Sequence, residues 1–542
     1  MSLPDARSRI RSVIPRWRSF LNTPSAELVP TARFPEHPST TSAAFRDLLK
    51  IWRASGRPED FVDIMDAGLA SGSRLLAVEG AKQLIPLGHG IKPRILERAE
   101  AVILRKPTLV SSSEIPFDEN APEEIATKIA GLKKTLRESP RNPLTHLEIA
   151  RLYCRLAQFE AAMSHVRIGL SLAPNDRFTL RAATRFFTLV HETPEALRVL
   201  RQSDAIQYDP WVQSAELSAA QLINRETKFA ERAAKRILAK DSVSRENSEL
   251  ASGWVSKVGS NGLKPRKSFQ LLSKTLSDPT ENALAQGIWF VESVHGQFLD
   301  RFPDVKLPPD AHEARSILLT EKGLYEEASM EAIRWFVDQP FQARAAIQLG
   351  FLSFVYTYKY DLAKATAEKA LLIHPQDWQL LNLAVIANVY TGDLQRARKH
   401  LNSFSDVCGS DEQRAFLEAA TGMLEFSSGS HDVAVSHYIS SIRISRLAKR
   451  ADLMINAAIY MVEMASRHGM IIFEDLAKFK NLIADAIVSL PPAARRDAER
   501  TWEARKPFIS SSNGDHSTGN SVPLDPTVLA ENIQLEFALS NP

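Results

Sequence analysis

The sequence predicts an all-α protein, a solenoid of antiparallel helix pairs. Three observations predict it. Proline, aromatic and small residues return at a step of about 34 residues, the period of a two-helix repeat. No stretch shows the sustained apolar/polar alternation that strands require. The chain has 542 residues, too many for one compact core, so an extended array or several domains is expected.

The clearest unit runs from Asn142 to Asp176. Ile149, Ala150 and Tyr153 share one face of a first helix, Phe159, Ala162 and Val166 share one face of a second, and Pro174 ends it. Ala150 and Ala162 are small where the two helices must cross at short range. The same grammar returns at Gly323, Tyr325, Ala328 and Pro340, then at Gly350, Tyr360, Ala363, Ala370 and Pro375, with the two prolines 35 residues apart (375 − 340). Gly392 with Ala397, and Gly422, Gly429 with Ala434, continue it. This pattern resembles the tetratricopeptide repeat. The resemblance implies a TPR-like right-handed superhelix in which the first helix of each pair lines a concave groove.

Four segments follow. Residues 1–43 form a basic N-terminal arm and linker, with Arg7, Arg9, Arg11, Arg16 and Arg18 beside Trp17 and Phe20. Such an arm is either a solvated tail or a contact for an acidic partner, a membrane surface or nucleic acid. Residues 44–116 read as divergent helical hairpins that cap the array, as terminal repeats do for solubility. Residues 117–505 hold the repeats, and residues 506–542 form a mostly disordered tail with a short helical motif.

Catalysis finds little support, and no enzyme is expected. His312-Glu313 and His191-Glu192 begin like a zinc-protease helix, but Ser316 and Glu195 stand where the second histidine belongs. The run from Gly259 to Gly262, with Lys264 and Lys267, follows a helix instead of a strand and lacks the Gly-Lys-Ser/Thr ending of a phosphate loop. Cys154 and Cys408 are the only cysteines, so no disulfide framework or four-thiolate zinc site forms. No metal or cofactor is expected. Two lone thiols and the absence of an apolar leader point to the cytoplasm. No apolar run reaches the roughly 20 residues of a membrane span. The net charge of +3, from 67 basic and 64 acidic residues, speaks against nucleic acid as the partner.

The expected function is a protein-interaction scaffold or adaptor that holds a peptide or subunit in its groove. A peptide-responsive regulator and a non-catalytic accessory subunit are the alternatives. The family register puts Leu147, Arg151, Arg155, Arg181 and Arg185 on the groove, beside Leu144, Cys154, Phe178, Thr188 and Leu189. Arginine forks suit carboxylates, so an acidic or C-terminal peptide segment is the expected ligand. The competing state has these arginines solvated or paired with Glu148, Glu160 or Asp176. Tyr356 and Tyr358 form a second candidate surface, again set against core packing.

Overall fold

The structure is a computed structural model of the chain. It describes residues 15–19, 50–70, 74–91, 93–104, 122–138, 140–225, 227, 232, 245–260, 270–271, 273, 275–276, 278–293, 305, 307–308, 310–471, 473–490, 492–509 and 524–534. The rest of the basic arm, the loop before Pro122, Lys264, Lys267 and the Ser510–Ser521 stretch lie outside these residues. Among the described residues there are helices and no strand, an all-α, TPR-like stack of antiparallel pairs.

Local sequence explains the pairs. Before the first helix of a pair, Asn142, Asp176, Asp209 and Asp377 each sit in extended backbone. Each accepts hydrogen bonds from the amides that open the helix. The first three of these caps are 34 and 33 residues apart (176 − 142 and 209 − 176). Within a pair, the first helix ends on a residue in the left-handed region: Ala157, His191 and Asn224, then Gly392 and Gly429. There the chain folds back with the paired bonds of a Schellman cap, as in Gln158 N–H to Tyr153 O at 2.9 Å and Asp393 N–H to Asn388 O at 2.9 Å. Tyr358, with φ 57°, lies in the corresponding turn.

The chain divides into two compact units, residues 5–322 with 333–341, and residues 323–332 with 342–542. In the first, α1 (Pro58–Ala70) and α2 (Arg74–Leu84) pack as a hairpin, joined by α3 (Pro93–Leu104). Next come α4 (Pro122–Glu138), α5 (Pro143–Arg155), α6 (Phe159–Leu172), α7 (Arg177–Leu189), α8 (Thr193–Gln202) and α9 (Pro210–Leu222). The series continues with α10 (Arg245–Ser260), α11 (Glu281–Ser293) and α12 (His312–Glu321). First helices stack on first helices, α5 on α7, α7 on α9 and onward to α12, which is what a solenoid requires. Asp63 on α1 accepts from the Asn142 side chain at 2.9 Å, so the hairpin caps the first repeat. Every residue from Arg177 to Phe187 is buried, although three are arginines.

Helix α13 (Tyr325–Asp338) divides between the units at Ala332. The second unit continues with α14 (Ala343–Val355), α15 (Tyr360–Ile373), α16 (Trp378–Tyr390), α17 (Leu394–Val407), α18 (Asp411–Ser427) and α19 (His431–Leu447). It closes with α20 (Ala451–Arg467), α21 (Phe473–Val488), α22 (Pro492–Arg505) and α23 (Pro526–Gln534). Its core runs from Phe354 through Leu383, Met423 and Tyr438 to Met461 and Trp502. Glycines set the closest crossings: a Cβ on Gly422 of α18 would lie 2.7 Å from Tyr438 and 2.9 Å from the Ala434 carbonyl on α19. The short terminal helix α23 docks, with Leu524 and Leu529 buried and the Leu524 amide donating to Met470 O at 3.0 Å. No helix of the described residues is long and apolar enough to cross a membrane.

Candidate peptide-binding site

A stretch of the chain's own arm, Pro15–Ser19, lies on the face lined by first helices of the first unit. Pro15 to Ser19 are all buried. This corrects the expectation of a solvated tail for this stretch, and the reason is charge pairing with residues far along the chain. Arg16 and Arg18 reach one wall, while Trp17 between them enters an aromatic slot.

The wall is acidic. Arg16 donates to Glu281 Oε1 at 2.9 Å, Glu313 Oε2 at 2.6 Å, Asn282 Oδ1 at 2.9 Å and Gln339 Oε1 at 3.0 Å. Arg18 pairs with the other oxygen of Glu281, with Asp310 at 2.9 Å and with Asp338 at 2.5 Å. Glu281 and Glu313 stand in the first turns of α11 and α12, where carboxylates favour the helix dipole. Burial pushes the Glu281 carboxyl up to about 7, against the lowering effect of Arg16 and Arg18, while Asp338 and Asp310 push it further up. Burial also acts upward on Asp310, but Arg18 and Arg245 outweigh it and hold that carboxyl below its ordinary value.

Trp17 lies edge-on to Phe186 of α7, with ring centroids 6.3 Å apart, and against Phe341 at 5.4 Å. Its indole N–H is buried with no acceptor among the described residues, so the slot holds the ring and not its polar tip. Ser19 donates to Glu148 of α5 at 3.1 Å. The segment thus spans α5, α7, α11 and α12, all first helices, together with the turn after α13.

The predicted groove residues divide. Arg151 is buried and pairs with Glu148 at 2.6 Å, the same carboxylate that Ser19 meets. Arg185 is buried, donates to the Phe341 carbonyl, and is pushed down to about 10 by burial and then by Arg16. Arg181 stacks over Trp211, 4.4 Å from the ring centroid, with Glu249 at 3.8 Å. Arg155 is half-buried at the last position of α5. Leu147 is enclosed inside the hairpin, its Cδ2 3.2 Å from the Cβ position of Gly169 on α6. Arg151 and Arg185 therefore flank the arm, and no fork is presented to an acidic ligand. The expected acidic segment has the wrong sign for this wall, because Glu281, Glu313, Asp310 and Asp338 face the ligand.

Of the second candidate surface, Tyr356 packs against the core while Tyr358 remains exposed. Tyr356 stacks flat on Tyr325 at 3.9 Å, and Tyr358 donates to Ala504 O at 2.7 Å while meeting Phe508 edge-on at 4.9 Å. The second unit also carries a small cavity of about 50 Å³, lined by Ile386, Phe416, Met423, Tyr438 and Asn456 and by no charged side chain. Among the described residues no group of three or more His, Cys, Asp or Glu has the geometry to hold a metal ion.

No protein-family model matches the chain, and no curated protein sequence matches it. Solved structures do. Yeast Tom70 aligns at 13% identity over 83% of this chain and 95% of that chain, with a TM-score of 0.29. The human IFIT1 dimer with PPP-AAAA aligns at 14% identity over 73% and 97%, with a TM-score of 0.34. Cut9, from the APC/C hetero-tetramer Cut9-Hcn1, aligns at 12% over 91% and 99%, with a TM-score of 0.27. Superpositions at this level carry nothing about partner or mechanism.

Proposed function

We propose that the protein is a non-catalytic scaffold that holds an extended peptide segment on the inner face of its first unit. One observation supports this reading above the others: that face already encloses a non-helical segment, Pro15–Ser19, through buried charge pairs and an aromatic slot. Aromatic and arginine anchors in desolvated pockets are the usual centres of peptide recognition. The two cysteines, joined by no disulfide, favour the cytoplasm as the place of action.

The test is affinity purification of the full chain from its native source, using wild type, Glu281→Lys/Asp338→Lys and the exposed-site control Glu503→Lys. Circular dichroism verifies the fold of each. Partners retained by wild type and control but lost from the double variant support the reading. A partner set identical in all three would sink it.

A further inference from the structure

We propose that the first unit recognises an Arg–aromatic–Arg segment of a partner protein, and that its own arm occupies the site as an internal competitor. This rests on the reading of that face as a peptide receptor. It adds what the ligand is and what keeps the site closed.

The ligand class follows from the geometry of the occupant. Arg16 and Arg18 project to the same side and converge on the two oxygens of one carboxylate, Glu281. Their remaining donors are met by Glu313, Asp310 and Asp338. Arginine forks match carboxylates in a planar, directional way that a lysine ammonium does not reproduce. The residue between them is turned the opposite way, into the slot of Phe186 and Phe341. The slot reads ring shape, since the indole N–H has no acceptor among the described residues. The code is therefore two arginines flanking one aromatic residue. An acidic peptide or a nucleic acid backbone would face four carboxylates, Glu281, Glu313, Asp310 and Asp338, where the arm presents two guanidinium groups.

Competition follows from connectivity. Thirty residues separate Ser19 from Lys50 (50 − 19 − 1), so the arm is a tethered ligand. Covalent attachment makes rebinding intramolecular, and short flexible linkers set effective concentrations on the order of millimolar. An arm whose intrinsic dissociation constant lies about 100-fold below its effective concentration weakens an incoming segment roughly 100-fold. A partner gains entry by offering a longer segment, a second contact, or a high local concentration.

The experiment uses the full chain with a specific protease site inserted in the polar stretch Pro38–Ser42. The probe is a fluorescein-labelled peptide of residues Ser12–Phe20, SVIPRWRSF, and its counterpart SVIPAWASF, read by anisotropy. Expected results are weak binding of the first peptide before cutting and about 10- to 100-fold tighter binding after cutting and dilution. The counterpart should show no comparable binding. Uncut Arg16→Ala/Arg18→Ala should show the same gain as the cut chain. Adding the peptide before the cut keeps the face filled if the emptied unit loses helicity.

Equal binding of both peptides overturns the ligand class and leaves the peptide-receptor reading standing. A cut arm that survives dilution and never exchanges with the labelled peptide overturns the competition, and makes the arm part of the core. Concentration-dependent dimers formed by mutual arm exchange assign the site to a second copy and also overturn the proposal. An emptied, folded face that binds neither peptide overturns this inference and the receptor reading together.

Discussion

Replacing Arg16 with alanine should release the arm, and the size of the effect can be worked from its contacts. The guanidinium is buried and holds two carboxylates, Glu281 at 2.9 Å and Glu313 at 2.6 Å, with amide acceptors on Asn282 and Gln339. Removing one partner of a buried ion pair costs about 3–5 kcal/mol, because the remaining charge stays desolvated. Here the loss has a ceiling. Once the arm detaches, water reaches Glu281 and Glu313, so the cost stops at the free energy that held the arm. At 1.4 kcal/mol per tenfold, 3–5 kcal/mol corresponds to an open population raised about 10²- to 4 × 10³-fold, with full opening as the limit. Limited trypsin digestion with mass spectrometry reads this directly at the Arg18–Ser19 bond, which is enclosed in the wild-type fold. When opening is fast relative to cleavage, the cleavage rate follows the open population. Wild type should cut slowly at this bond and the variant faster by up to about 100-fold, the rate of a fully open arm, with unchanged helicity. Equal rates, or a rapid cut in wild type, would refute the burial of the arm and the reasoning built on it.

The contribution of Glu281 to folding should weaken as pH rises through about 7. Burial raises its carboxyl to about 7 against the lowering effect of Arg16 and Arg18, so the folded chain binds the extra proton relative to the unfolded one, and the contribution is full at low pH and lost as pH rises through about 7. Urea midpoints between pH 6 and pH 8 should show the loss, and Glu281→Gln should flatten it. In the second unit, Arg505→Met should destabilise by about 3 kcal/mol, the low end for a broken buried pair, as read by the urea midpoint. The fully buried Arg505 donates to Phe354 O at 2.6 Å and lies 3.4 Å from Glu463, but Glu463 keeps Arg467 at 2.9 Å and Tyr390 at 2.9 Å. Gly422→Ala should cost about 1–3 kcal/mol by forcing α18 off α19, whereas Gly131→Ala on α4, with nothing within 4 Å, should stabilise by about 0.5–1 kcal/mol. Thermal melts of the two variants moving in the same direction would contradict this.

What the sequence determined by itself is the helix-pair architecture, because its signals are short-range. A helix needs its cap within three residues and its apolar face within seven, so Asn142, Asp176 and the Ala150–Ala162 crossing are legible locally. The repeat was blurred where the left-handed turn residue is Ala157, His191 or Tyr358 in place of glycine, since the backbone conformation recurs while the residue type does not. The site was legible only in part. The repeat register pointed to Arg151 and Arg185, yet the sign of the ligand depends on carboxylates that arrive from elsewhere. Arg16 meets Glu281 across 265 positions and Glu313 across 297, a separation at which no period or spacing carries information. Tertiary structure alone brought four carboxylates and an aromatic slot around Pro15–Ser19. It thereby turned an apparently solvated basic tail into the occupant of the inner face.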